Sequence, residues 1–214
     1  MKYKLAIFDF DGTLADTRKA IVLSKQETMR RLGLEVADEE TCAATIGMAS
    51  YDGFRSVFPG ESDETIRQCV KTYRQIFDSF VETHAPVLFE GVEEVLHKLA
   101  DDGVKLAVAS SRNLASLNDL LGKLGIRGLF EAVYGAESTE HLKPDPEPVE
   151  SLLKLFGTDP KEVLVVGDMP LDISMGRGAG AVTCGVTFGN ADRRSLLEAG
   201  ADRVIDRFDE LLDA

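Results

Sequence analysis

Two aspartates at the end of an apolar run are the first residues in this chain whose types and spacing suggest chemistry. Asp9 and Asp11 follow the run LAIF and are followed directly by Gly12 and Thr13. Residues two positions apart in an extended segment point to the same side of the chain. Clustered carboxylates are costly unless a cation joins them. The stretch therefore predicts a functional site rather than an ordinary turn.

Further polar side chains follow other apolar runs. Ser110 ends the run VKLAVAS, and Asp168 ends the run VLVVGD, with Asp172 close behind it. Lys143 lies in the segment HLKPDPEP, after the run AVYG. In open α/β sheets, ligands bind beyond the carboxyl ends of the strands. We therefore expect these side chains to meet Asp9 in one crevice.

The chemistry of this set follows from its residue types. Carboxylates from two strands, with no histidine or cysteine nearby, suit a hard cation, and Mg²⁺ prefers few protein ligands together with water and phosphate oxygens. A carboxylate beside Mg²⁺ can attack phosphorus and form an aspartyl-phosphate. Asp11 could then protonate the leaving alkoxide and later activate water. Lys143, Ser110 and the turn after Asp11 could supply hydrogen-bond donors to the phosphoryl oxygens.

The elements that must position these residues can be predicted from the apolar runs. Several runs are apolar at nearly every position, as in parallel strands covered on both faces. Helical patterns follow each run, which predicts an α/β fold, a Rossmann-like doubly wound parallel sheet. The six runs are residues 5–10, 104–110, 132–135, 163–168, 182–187 and 202–206.

One long stretch interrupts the alternation. Residues 16–85 contain helical patterns and no predicted strand, so we expect a helical cap domain inserted after the first strand. Residues 1–15 and 86–214 then form the α/β core domain. Arg55 in the insertion is the type of cation that such a cap could direct at a substrate, although a surface salt bridge is the simpler interpretation of this residue.

Composition limits the possible partners. The chain has 214 residues and a formal net charge of −13, which argues against a nucleic-acid surface but not against a small anionic substrate. No apolar run is long enough to span a membrane, and the short N-terminal run reads as a strand rather than a signal peptide. The three cysteines lack metal-ligand spacing, so we expect free thiols in a reducing cytoplasm.

Four motifs, in order, resemble those of the haloacid dehalogenase superfamily, in its large phosphatase branch with a helical cap. They span nearly the whole chain, which makes the resemblance more specific than one motif alone. The motifs are DFDGTLADT at 9–17, VASS at 108–111, LKPDP at 142–146, and GDMPLD at 167–172 followed by GRGAG at 176–180. The chain departs from many relatives at Met169, where they carry Ser or Thr.

The resemblance implies a role for each matching residue. It implies Asp9 as nucleophile and Mg²⁺ ligand, and Asp11 as acid/base with its backbone carbonyl on the metal. It also implies that Asp168 is the other carboxylate ligand and that Asp172 supports the metal site.

The phosphoryl-binding positions are implied in the same way. Ser110 and Lys143 would contact the transferring phosphoryl group. Gly12, Ser111 and Arg112 are further predicted contacts to phosphate or substrate.

Two details narrow the predicted activity. Dehalogenases of the superfamily lack the second aspartate and phosphonate hydrolases carry alanine there, so Asp11 indicates phosphate esters. The segment from Val186 onward resembles the C-terminal part of phosphoglycolate phosphatases and related pyrophosphatases. We therefore expect a Mg²⁺-dependent phosphatase of small phosphorylated metabolites, with phosphoglycolate-type substrates favoured. A β-phosphoglucomutase-type phosphomutase, an inorganic pyrophosphatase and a non-catalytic phospho-ligand-binding regulator are the alternatives.

Overall fold

The computed structural model of the protein describes residues 3–83 and 85–213. Its centre is a six-stranded sheet in which every neighbouring pair is parallel, in the order β5-β4-β1-β6-β7-β8. An antiparallel pair, β2 and β3, forms a separate two-stranded sheet. The strands are β1 (Leu5–Phe8), β2 (Ala15–Asp16), β3 (Val87–Leu88), β4 (Lys105–Ala109), β5 (Ala132–Tyr134), β6 (Val163–Gly167), β7 (Val182–Val186) and β8 (Arg203–Ile205).

Helices cover both faces of the central sheet. Alternate residues of β1 enter different hydrophobic clusters, with Leu5 and Ile7 in one and Ala6 and Phe8 in the other. The sequence-predicted α/β doubly wound sheet is therefore confirmed. The α-helices are α1 (Arg18–Arg31), α2 (Glu39–Ala43), α3 (Ser50–Val57), α4 (Asp63–Thr83), α5 (Val92–Asp101), α6 (Leu114–Lys123), α7 (Glu147–Phe156), α8 (Pro170–Gly178) and α9 (Arg193–Glu198), with 3₁₀ turns at Arg127–Leu129, Pro160–Glu162 and Phe208–Asp213.

Two helix boundaries follow directly from local chemistry. The Asn113 side chain accepts hydrogen bonds from the backbone N–H groups of Ala115 and Ser116, which caps the start of α6. Gly157 adopts a left-handed conformation (φ 63°) directly after α7 and ends that helix.

The four helices between β2 and β3 pack on one another. α1 packs against α2 and α4, and α3 packs against α4. The apolar face of α4 is buried through Ile66, Cys69, Tyr73, Phe77 and Val81, as its three- and four-residue spacing predicts. The β2–β3 pair was not predicted, because a two-residue strand has no periodicity to detect. The boundaries at residues 16 and 85 stay a prediction.

Two sequence expectations concern redox state and membranes. Cys42, Cys69 and Cys184 are free and buried. Across residues 3–83 and 85–213, none of the helices is both long enough and apolar enough to cross a bilayer.

Candidate active site

The site is built where the carboxyl ends of three adjacent strands meet. β1 lies between β4 and β6, and Phe8 is paired in register with Val108 on one side and Val166 on the other. The next residues beyond these strand ends include Asp9, Ser110 and Asp168. The topology therefore brings together side chains that are far apart in the sequence, as the strand-end rule predicts.

Asp9 occupies the centre of the site and is only 3% exposed. Its Oδ1 accepts a hydrogen bond from Lys143 Nζ at 2.5 Å. Its Oδ2 is buried and has no hydrogen-bond partner. Burial raises the pKa of Asp9 well above its usual value against the opposing effect of Lys143, and the nearby Asp172, Asp168 and Asp11 raise it further. Asp9 therefore keeps one oxygen free of protein partners in a site that disfavours accumulated negative charge.

Lys143 joins two of the acids. Its Nζ also donates to Asp172 Oδ1 at 2.6 Å, and both ion pairs are buried. Burial alone would lower the pKa of Lys143, but Asp172 and Asp9 raise it above its usual value, so the ammonium stays charged. Asp172 Oδ2 accepts from the backbone N–H of Met169, which ties the carboxylate to the first turn of α8.

Asp168 is fully buried on the other side of Asp9. Its Oδ2 accepts from both the backbone N–H and the side-chain amide of Asn190, each at 2.8 Å, and its Oδ1 accepts from Thr13 Oγ1 at 3.4 Å. Burial and the neighbouring Asp172 raise the pKa of Asp168 to about 7, against the hydrogen bonds from Asn190. The carboxylate is therefore held in place at an electrostatic cost.

These acids fit a bound divalent cation. Ligand oxygens of Asp9, Asp168 and Asp172 lie within 4.8 Å of one another, and all three residues are buried. Lys143 is the cation that the structure shows in contact with them, so three carboxyl groups share one positive charge. An all-oxygen donor set of buried carboxylates matches the preference of Mg²⁺. Asp9 and Asp168 are the residues that would hold the ion, with Asp172 supporting them.

Asp11 lies at the mouth of this cluster and is held by Arg112. Arg112 Nε donates to Asp11 Oδ2 at 3.0 Å and Nη2 donates to Oδ1 at 2.5 Å, a two-point contact between groups that are both about nine-tenths buried. The guanidinium also lies over the Phe77 ring of α4, 4.3 Å from its centroid. Arg112 therefore orients Asp11 and bridges the sheet and the inserted helices.

A cleft of about 330 Å³ lies between Asp11, the segment after β4 and the inserted helices. Asp11, Ser110, Ser111 and Arg112 line its lower side. The Ser111 hydroxyl is buried and has no partner, and the Ser110 hydroxyl accepts from the Arg112 backbone N–H. Residues of the inserted helices line its upper side, among them Ile21, Lys25, Thr45, Ile46, Gly47, Tyr73 and Phe77.

Arg55 is the predicted site residue that the structure places neither in this cleft nor in the acid cluster. Its guanidinium donates to the Asp63 carboxylate, to the Glu61 carbonyl at 2.6 Å and to Tyr51 Oη at 3.3 Å. These contacts connect α3 to the start of α4. Arg55 therefore forms a surface salt bridge, which was the simpler of the two interpretations made from the sequence. It is absent from the described cleft lining, where Lys25 is the buried cation of the inserted helices.

Sequence reasoning missed two residues of the site. Asn190 lies just beyond the end of β7, so the strand-end rule applied to that strand could have found it. Lys25 carries no comparable signal, since a lysine in the middle of a helix is usually a solvated charge. Its burial depends on how α1 packs against its neighbours.

Gly12 is required by the space around Asp168. Its φ is +90°, and a Cβ at this position would lie 2.2 Å from Asp168 Oδ2 and 2.4 Å from Asn190 Nδ2. We expect Gly12→Ala to lower the free energy of unfolding by at least about 2 kcal/mol, because strain and overlap add. Urea unfolding would measure this, with Gly60→Ala as a control at a site with open space. Equal stability of the two variants would contradict this account of the turn.

Comparisons with known proteins agree with this geometry. The model of the family described as haloacid dehalogenase-like hydrolase matches residues 6–186. The chain is 35% identical to the probable phosphatase IndB of Dickeya dadantii, covering 98% of this chain and 92% of the relative. It is 30% identical to the pyrophosphatase PpaX of Bacillus velezensis, covering 96% and 93%. The crystal structure of a predicted phosphoglycolate phosphatase from Haemophilus somnus superposes with a TM-score of 0.85 at 26% identity, covering 100% and 98% of the two chains.

The family match spans both the strand-end acids and the inserted helices, and the relatives are covered over nearly their whole length. The fold, the order of the motifs and the sequence comparisons all indicate the same family. The chain belongs to the haloacid dehalogenase-like hydrolase family.

Proposed function

We propose that this protein is a Mg²⁺-dependent phosphatase that hydrolyses small phosphomonoesters through an aspartyl-phosphate on Asp9. The observation that carries the proposal is the unpartnered Asp9 Oδ2, which is buried beside Lys143 and two further carboxylates. Relatives named as phosphatases support it. A non-catalytic binding protein would have no use for a desolvated carboxylate with one free oxygen.

The first half of the reaction uses Asp9 and Asp11. Asp9 Oδ2 attacks phosphorus, the bond to the leaving oxygen breaks, and protonated Asp11 delivers its proton to that oxygen. Lys143 and Ser110 donate hydrogen bonds to the phosphoryl oxygens. Bound Mg²⁺ would supply positive charge that offsets the repulsion between Asp9 and the phosphoryl group.

The second half regenerates the enzyme. Asp11, now a carboxylate, takes a proton from a water molecule, whose oxygen attacks phosphorus and releases Asp9 and inorganic phosphate. Arg112 holds Asp11 through two hydrogen bonds and so keeps its carboxylate directed at the reacting oxygens in both halves.

The size of the cleft favours a small leaving group. About 330 Å³ is at the lower end of the range for small-molecule sites, and residues of the inserted helices line one side of the cleft. We propose phosphoglycolate-type substrates, in line with the name of the Haemophilus somnus structure. The relative named pyrophosphatase makes inorganic pyrophosphate the second candidate.

Phosphate release from a panel of esters tests the proposal. We expect activity with Mg²⁺ on phosphoglycolate, and a loss of at least about 100-fold when EDTA removes the metal, restored by added Mg²⁺. The panel should include pyrophosphate, a sugar phosphate and a nucleotide. Turnover that EDTA leaves unchanged would contradict the metal role, and isomerisation of a sugar phosphate without phosphate release would indicate a phosphomutase instead.

A further inference from the structure

The strongest unexplained feature near the cleft is a lysine buried among the inserted helices. Lys25 projects from α1 and is only 5% exposed. Its Nζ donates to the Thr45 hydroxyl and contacts the Thr45 carbonyl oxygen at 3.4 Å. The ammonium is therefore fixed in position by packing and by hydrogen bonds.

Lys25 lacks a negative partner within the described part of the chain. None of the ion pairs seen there involves Lys25, although a buried lysine is normally paired with a carboxylate. The groups whose charge acts on it are Cys42, a buried thiol whose pKa is raised by burial, and Asp11, both of whose oxygens Arg112 already contacts. Burial lowers the pKa of Lys25 to about 8, so the group is mostly charged at neutral pH. A buried charge of this kind is costly unless an anion joins it.

The position of Lys25 indicates where that anion would come from. Lys25 and Thr45 line the cleft together with Asp11 and Ser110. A substrate whose phosphoryl group reaches Asp9 would extend its leaving group past Asp11 into this cleft. We propose that Lys25, held in position by Thr45, forms an anion subsite that binds a second negative group on the leaving-group side of the substrate, either a carboxylate or a second phosphoryl group. The subsite rests on the phosphatase function and narrows it to substrates with two anionic groups.

Matched substrates test the subsite. Phosphoglycolate and pyrophosphate carry the second anion, whereas ethyl phosphate is similar in size and lacks it. We expect Lys25→Met to lower the ratio of kcat/KM for phosphoglycolate to that for ethyl phosphate by about 10- to 100-fold, the usual value of a buried contact to a charged group. Most of the loss should be in KM. Whichever of phosphoglycolate and pyrophosphate loses more identifies the preferred anion.

Two further variants make the result specific. Lys25→Arg keeps the charge and should recover part of the lost discrimination. Lys19→Met removes an exposed lysine of the same helix and should leave the ratio unchanged. The unfolding midpoint of Lys25→Met should not fall, since a buried charge is removed. An unchanged ratio, or an equal loss on both esters, would overturn the subsite.

A binding measurement tests the Lys25 subsite separately from the proposed phosphatase activity. In an Asp9→Asn background, calorimetric titration with phosphoglycolate or ethyl phosphate requires no turnover. We expect the added Lys25→Met change to weaken phosphoglycolate binding by about 10- to 100-fold and ethyl phosphate binding by much less. An affinity for phosphoglycolate that Lys25→Met leaves unchanged, or no detectable phosphoglycolate binding, would overturn the subsite. Failure of unsubstituted protein to hydrolyse any ester would instead overturn the proposed function.

Discussion

An Asp9→Asn protein is expected to lose at least about 10³-fold of its phosphatase turnover while remaining folded. The amide nitrogen or the less nucleophilic amide oxygen would replace the free Oδ2, so no acyl phosphate could form. Lys143 keeps its second partner, Asp172, and one of several crowded negative charges is removed. The loss should therefore be chemical rather than structural.

Two measurements check this expectation. Steady-state phosphate release gives the loss in kcat, and rapid acid quench with labelled substrate should detect a covalent phosphoenzyme in unsubstituted protein but not in the variant. Asp16→Asn is a suitable control, because Asp16 is exposed in the same segment and contacts only the backbone N–H of Arg18 among the contacts described here. Substantial residual turnover or a retained phosphoenzyme would contradict the assignment of Asp9 as the nucleophile.

An Asp168→Asn protein is expected to lose nearly all metal-dependent turnover and, without metal, to be more stable than unsubstituted protein at pH 8. Burial and Asp172 raise the folded-state pKa of Asp168 to about 7 from an ordinary value of 3.8. As pH rises, the unfolded chain therefore loses this proton at a lower pH than the folded chain does. The free energy of unfolding falls between the two pKa values, and the whole decrease is present above pH 7. The asparagine variant has no such titration and should gain on the order of 2–4 kcal/mol at pH 8.

Bound Mg²⁺ should make the unsubstituted protein the more stable of the two. Mg²⁺ at about 100 times its dissociation constant should add about 2.7 kcal/mol to the stability of unsubstituted protein. The variant lacks one of the two main carboxylate ligands and should gain far less. Urea unfolding at pH 5 and pH 8, in EDTA or in Mg²⁺, measures all four conditions, with Asp101→Asn as an exposed control on α5. Equal stabilisation of both proteins by Mg²⁺ would place the metal elsewhere.

Several parts of this protein were determined by local sequence. Runs of apolar residues can be stable as strands only when both faces are covered, so the six strands of the central sheet were predictable one by one. Asn113 and Gly157 fix helix ends through their own hydrogen bonds and backbone conformations. Asp9, Asp11, Asp168 and Lys143 could also be proposed as site residues, because the three aspartates lie at the ends of apolar runs and all four lie in the ordered motifs.

Other features depend on contacts between distant segments. The two-residue strands β2 and β3 pair only because the chain leaves and re-enters the core at neighbouring points. The contact between Arg112 and Asp11 joins residues 101 positions apart, and Asn190 reaches Asp168 from the end of a different strand. No local pattern encodes such pairs, since each requires the whole sheet to be assembled.

Two cations of the inserted helices, Arg55 and Lys25, show the same division. From the sequence, Arg55 was the candidate substrate contact of the insertion, with a surface salt bridge as its simpler interpretation, and Lys25 was not singled out. Packing decides otherwise in this structure: α3 and α4 hold Arg55 at the surface through Asp63, while α1 buries Lys25 beside Thr45 at the cleft. The sequence by itself determined the fold and identified the strand-end acids, because strand patterning and motif order are local. Only the tertiary structure decided which of these two cations lines the cleft, because burial and charge pairing depend on neighbours from other elements.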